Sequence, residues 1–197
     1  MHDGRAKKGG RWGAISASEE VALLGRVATE DADAFEQLYR LYSPRLQRFV
    51  RGIAKQPALV DEILDDTMLV VWRKAYTFNH GSKVSTWILA IAYRQALKKL
   101  RRNGVSVDFD TGELPEVAGA AGPEEELQQQ ELHAHLDVAL ATLSPEQRAV
   151  MELTYYFGYA CREIAQIVGC PVDTVKTRMF HARRKLKLWL TAHREAI

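Results

Sequence analysis

The chain has 197 residues, 47% of them hydrophobic, and 27 Lys and Arg stand against 25 Asp and Glu. That supports a core in one ordinary domain or two small ones, while no apolar run approaches the length that crosses a bilayer. The 2 cysteines, Cys161 and Cys170, have no CxxC spacing and no clustered histidines, which argues against a disulfide framework or a metal site and for reduced packing thiols.

The formal net charge of +2 hides a strong segregation of sign along the chain. Residues 1–15 are rich in Gly and basic side chains (Arg5, Lys7, Lys8, Arg11) and read as a disordered tail. They lack the hydrophobic segment of a signal peptide, so a soluble, cytoplasmic chain is expected. Ser16 and Glu19 have capping-box spacing and open a short helix to about Val27. From Ala34 the apolar positions Phe35, Leu38, Tyr39, Tyr42, Leu46, Phe49, Val50 and Ile53 share one face of a helix. Pro44 is expected to kink or restart it, and Arg40, Arg45, Arg48 and Arg51 fall off that face.

Pro57 begins a helix through VDEILDDTMLVVWRKA, with Val60, Ile63, Leu64, Val71 and Trp72 among its apolar positions. Asp61, Glu62, Asp65 and Asp66 gather in its N-terminal half, where the helix dipole favours negative charge. No His, Cys or nucleophile is placed with them, so acid–base or metal chemistry is rejected in favour of a docking face for a protein partner. Tyr76 to Lys83 (YTFNHGSK) reads as a loop, followed by a helix with Trp87, Ile88, Ile91 and Ala92 toward a core. That helix ends in Lys98, Lys99, Arg101 and Arg102. Aromatics beside cations are what single-stranded nucleic acid requires, stacking faces for bases and charge for the backbone. The alternative is that Tyr76, Phe78 and Trp87 merely pack.

At Asn103-Gly104 the composition changes. Residues 104–131 hold eight carboxylates and no Lys or Arg, and Gly119, Gly122 and Pro123 interrupt any regular element, as in a flexible acidic linker. Asp110-Thr111-Gly112 matches an aspartic-protease triplet only by coincidence, because no second copy or flanking hydrophobic strand accompanies it. His133 and His135 are too few for a metal site. A helix resumes from Glu131 to about Leu143. Ser144, Pro145 and Gln147 then cap a new one, which Gly158 ends.

The segment ACREIAQIVGCPVDTVKTRMFHARRKLKLWL, Ala160 to Leu190, reads as two helices joined at Gly169, where only glycine enters a left-handed turn without steric cost. In the second helix Val175, Met179, Ala182 and Leu186 form a buried stripe. Facing away lie Thr174, Lys176, Thr177, Arg178, Phe180, His181, Arg183 and Arg184. Between Thr174 and Lys187 there are six Lys or Arg and no carboxylate, the pattern of a helix-turn-helix whose second helix enters a DNA major groove. The fold class that follows is all-α: a helical domain over 16–103, the linker 104–131, and a helix-turn-helix domain over 132–197.

In this order the segments resemble the bacterial RNA polymerase sigma factors of the small extracytoplasmic-function (ECF) type. FEQLYRLYSPRLQRFV resembles the family's first helix and VDEILDDTMLVVW its polymerase-docking helix. FNHGSKVSTWILAIA is similar to its strand-melting segment, and the stretch Leu143 to Leu186 to its promoter-reading domain. The chain departs from the family pattern at Asp65, Met68, Tyr93-Arg94, Asp173 and His181. The resemblance implies a transcription initiation factor that is not itself an enzyme and needs no cofactor. Its partners would be core RNA polymerase, promoter DNA and an anti-sigma factor. Polymerase docking would fall to Asp61, Glu62, Asp65, Asp66 and Trp72. Single-strand contacts would fall to Phe78, Asn79, His80, Ser82, Lys83 and Trp87. The other class of reading is a helix-turn-helix regulator that binds duplex DNA without polymerase. Such a regulator would need neither the acidic helix nor the aromatic loop.

Overall fold

A computed structural model describes residues 15–54, 56–104 and 138–193. The basic tail and the acidic linker, with His133 and His135, lie outside those residues, apart from Ile15 and Gly104 at the edges. Among the described residues every regular element is helical, and no helix is long and apolar enough to cross a membrane.

Helix α1 (Ala17–Val27) starts at the capping box, where the Glu19 N–H donates to Ser16 Oγ at 3.2 Å and the Glu19 carboxylate accepts from the Ser16 N–H. Helix α2 (Ala32–Ala54) runs unbroken through Pro44, so the proline does not restart it. A proline inside a helix costs about 3 kcal/mol. Leu38, Tyr42, Leu46 and Phe49, on either side of it, are at most 1% exposed, and burying each contributes about 1.5–3 kcal/mol. Packing outweighs the local defect. Helix α3 (Pro57–Lys74) takes Pro57 at its start, where no N–H is needed. A 3₁₀ turn (Ala75–Thr77) and an irregular loop lead to α4 (Val84–Arg102).

After a helical turn at 138–141, α5 (Pro145–Met151) begins at a second box: the Gln147 N–H donates to Ser144 Oγ at 3.3 Å, and Gln147 Oε1 accepts from the Ser144 N–H at 3.2 Å. A π-turn (Glu152–Tyr156) follows, then α6 (Cys161–Val168) and α7 (Val172–Ala192).

The two helical groups share one core. Helix α6 packs on α4 and α5 on α2, and buried apolar side chains run from Leu38 through Phe49 and Ile88 to Leu153, Ile164 and Val175. Phe49 of α2 meets Phe157 edge-on with ring centres 6.0 Å apart. The seam also buries polar groups: Glu146, Gln147 and Arg148, in the first turn of α5, are all buried. Glu152 lies directly over Gly52 of α2, where an added Cβ would come within 2.6 Å of its Cγ. A larger residue at position 52 would have to push Glu152 aside.

Candidate nucleic-acid interface

Gly169 closes α6 in the left-handed region (φ 67°, ψ 39°). Its N–H and that of Cys170 donate to the Ala165 carbonyl at 2.9 and 3.2 Å, which turns the chain into α7. Val175, Met179 and Ala182 are buried against the preceding helices, while Leu186 is half-buried. Opposite them Lys176, Thr177, Phe180, Arg183 and Arg184 are exposed, Phe180 at 62%, with Thr174 and His181 half-buried at the margins.

The cations of α7 are held very differently. Lys176 Nζ pairs with Asp173 at 3.0 Å, one helical turn back. Arg183 Nε donates to the Tyr155 hydroxyl at 2.7 Å. Arg184 makes no hydrogen bond or ion pair among the described residues. Arg178 turns away from the exposed face, with Nη1 3.8 Å from Cys170 Sγ and its guanidinium beside Tyr93 of α4. Burial pushes the Tyr93 phenol up to about 12, with Arg178 opposing that rise.

The loop before α4 brings the single-strand candidates together. The Phe78 ring stands edge-on to Trp87 at 5.8 Å and to His80 at 5.0 Å. Asn79 Oδ1 accepts from the Gly81 N–H at 3.1 Å. The left-handed residue here is His80 (φ 59°), not Gly81, and histidine is among the few side chains that visit that region with some ease. A Cβ at Gly81 would sit 3.1 Å from Asn79 Oδ1, so this glycine makes room for the Asn79 amide. Ser82 Oγ donates to the Lys83 carbonyl at 3.3 Å.

Lys83 reaches across the seam between the helical groups. Its ammonium donates to Glu163 Oε1 of α6 at 2.7 Å, and that bond and charge hold it above its usual value. Burial pushes Glu163 up, but Lys83 and the Ala160 N–H, 3.1 Å from Oε2, outweigh it and leave the carboxyl lowered. Beside them Tyr159 shares a hydrogen bond with Ser85. Neither Glu163 nor Tyr159 was a site candidate, and with 80 residues between Lys83 and Glu163 no sequence spacing announces the pair.

On α3 the four clustered carboxylates divide. Glu62 and Asp66 both turn to Lys99 of α4, Asp66 at 3.2 Å. Asp61 and Asp65 stay exposed, in line at four-residue spacing with Leu69, which is 45% exposed. Trp72 is half-buried edge-on to Phe35 at 5.1 Å. A basic side chain that neutralises half the cluster is the feature that α3 alone does not reveal.

Two family models match the chain in order: Sigma-70 region 2 over residues 38–105, and Sigma-70, region 4 over residues 133–186. The chain is similar to the ECF RNA polymerase sigma factor RpoE of Cereibacter sphaeroides, 29% identical over 169 residues that cover 85% of this chain and 92% of that protein. It is 30% identical over 167 residues to the ECF RNA polymerase sigma factor SigM of Mycobacterium tuberculosis, covering 85% of this chain and 82% of that one. The fold is similar to that of CnrH in complex with the cytosolic domain of CnrY, with a TM-score of 0.65 at 22% identity over 90% of this chain and 99% of that chain. It is also similar to RpoE of Bartonella quintana in complex with the anti-sigma factor NepR, with a TM-score of 0.57 at 23% identity over 80% and 96%.

Proposed function

Because this chain belongs to the extracytoplasmic-function sigma factors of RNA polymerase, we propose that it joins core polymerase, carries it to promoters and takes part in opening the strands. The polymerase performs the chemistry. The observation that carries this reading is that region 2 and region 4 match in order and contain the loop before α4 and the exposed face of α7, where aromatic and basic side chains gather. An anti-sigma factor is a further partner, as NepR is for the Bartonella quintana protein.

Within that reading the exposed pair Asp61 and Asp65 with Leu69 forms the centre of the polymerase contact, flanked by Glu62, Asp66 and Trp72. A mixed charged and apolar stripe suits a basic partner surface, where charge steers and apolar area holds. Phe78, Asn79, His80, Ser82, Lys83 and Trp87 receive a displaced promoter base: Phe78 and Trp87 supply apolar walls, and the polar loop reads an edge that a duplex keeps paired. Lys176, Thr177, Phe180, His181 and Arg184, with Thr174, present the base-reading side of α7 to the major groove. Arg183 supplies phosphate contact, and Arg178 joins them once it leaves Tyr93.

Co-purification with core polymerase, followed by sequencing of the DNA the complex retains, tests the whole reading. A stable complex enriched for a shared two-element promoter is the expected result. Retention of duplex DNA with no affinity for polymerase would replace it with a simple helix-turn-helix regulator.

A further inference from the structure

We propose that Tyr155, on the π-turn ahead of the helix-turn-helix, is a positioning residue that sets Arg183 to grip one phosphate of the promoter backbone. The proposal rests on the reading of α7 as the duplex-binding helix. Tyr155 is 62% exposed, so it contributes little to the core, and nearly all its neighbours on the turn face inward or along the seam. Leu153 is fully buried, and Tyr156 stacks under the Arg48 guanidinium at 4.0 Å. The π-turn carries an additional residue per turn, a distortion that recurs at functional sites, and here it puts Tyr155 outward beside α7.

The contact itself is selective. Tyr155 accepts from Arg183 Nε at 2.7 Å, and the guanidinium carbon stands 5.6 Å from the ring centre. With Nε engaged, the Nη1 and Nη2 edge remains whole, and that edge is the one that forks onto two phosphate oxygens. Lys176 is tied only to a carboxylate it must leave, and Arg184 has no partner among the described residues. Arg183 is the exposed cation of α7 already fixed by a neutral group that does not quench its charge. A side chain ordered in advance loses less freedom on binding.

Phosphate fits better than a base edge. Thr177, Phe180 and Arg184 line the middle of the exposed face of α7, whereas Arg183 lies to one side of it, drawn toward Tyr155. Its tyrosine comes from a different element on the flank.

The test uses the holoenzyme formed with full-length protein and a promoter duplex recovered with it, with affinity measured across a salt series. Tyr155→Phe keeps the ring and the charge but removes the acceptor. It should weaken binding about three- to tenfold, the net size of one ordinary hydrogen bond, with the salt slope intact and the melting temperature unchanged. Arg183→Ala should weaken binding and flatten the salt slope by about one. Adding Tyr155→Phe to Arg183→Ala should then change nothing further. A Tyr155→Phe effect of equal size in both backgrounds would make the tyrosine's role independent of Arg183 and overturn the proposal. Wild-type affinity for Tyr155→Phe, alongside losses for Lys176→Ala and Arg184→Ala, would overturn it while leaving the face intact. If all of these variants bind like the wild type, the reading of α7 fails and the proposal with it.

Discussion

The loop before α4 and the exposed face of α7 carry the same kinds of side chain, aromatics beside cations, yet the fold treats them in opposite ways. On α7 the face is open to solvent, and Lys176 and Arg183 on it are held by groups of the same helix or its own group, while Arg178, turned off that face, is the exception beside Tyr93 of α4. In the loop the one cation, Lys83, is bound to Glu163 from the other helical group, and Ser85 behind it is bound to Tyr159. On the proposed reading the surface for duplex DNA is open in this arrangement, while the loop proposed to take a single strand is tied by Lys83 to the first helix of the helix-turn-helix. In that reading Lys83 would have to leave Glu163 before it could serve a phosphate. The order of events that follows physically is separation of the two groups before strand capture.

The largest effect that tests this contrast lies in the core the two groups share. Phe49→Ala removes a fully buried ring that touches Phe157, and such truncations cost about 3–5 kcal/mol. Denaturant unfolding followed by one dye on α3 and by a label on α7 should shift together. If only the first group loses stability and the label on α7 keeps its transition, the two groups fold independently and the seam is incidental.

Charge reversal on α3 comes next. Asp61→Lys with Asp65→Lys touches neither Lys99 nor the core, so folding should survive and core polymerase affinity should fall by one to about three kcal/mol if the contact is desolvated. Reversing Glu62 and Asp66 instead would repel Lys99 and confuse docking with stability. An unchanged titration for the Asp61 and Asp65 variant would return this stripe to plain solvated surface.

The loop gives an intermediate effect of a different kind. Asn79→Ala with His80→Gly should leave stability and polymerase binding near wild type, because both side chains are exposed and glycine accepts the left-handed backbone at position 80, and should slow promoter opening. A fluorescent base analogue placed in the upstream element reports the unstacking, which costs a few kcal/mol without a receiving pocket. Normal opening would make Phe78 and Trp87 ordinary packing residues.

What the sequence made legible was local. The Ser16–Glu19 and Ser144–Gln147 boxes, the left-handed Gly169 and the Val175–Met179–Ala182 stripe each depend on a few neighbouring residues, and each was readable from spacing. The candidate residues fall into the same groups in space for the same reason, since the loop is one continuous stretch and the face is one helix. The partners were hidden. Glu163 for Lys83, Tyr155 for Arg183, Tyr93 for Arg178 and Lys99 for Glu62 and Asp66 are set by tertiary packing between elements far apart in the chain. Pro44 shows the converse case, a local rule that burial on both sides overrode.

The smallest effect is on pH, and it distinguishes two carboxylates that face the same seam. Glu163 is lowered below its ordinary 4.5, with Lys83 facing it. Its contribution is therefore present above 4.5 and lost as pH falls through the lowered value. Glu152 is raised above 4.5 because burial against Gly52 outweighs Arg48, whose Nε is 3.9 Å away. Its contribution is present below 4.5 and lost as pH rises through the raised value. Glu152→Gln should consequently close the seam more firmly at neutral pH than the wild type does, because a buried charge is gone. Glu163→Gln should loosen it there by no more than about 1 kcal/mol, the range of a partly exposed pair. Differences from wild type, measured by energy transfer between dyes on α3 and α7 across the acid range, isolate these two groups from other carboxylates. The Glu163→Gln difference should vanish at low pH and the Glu152→Gln difference should grow as pH rises. If both differences have the same sign at neutral pH, the pairing across the seam is not the one the geometry describes.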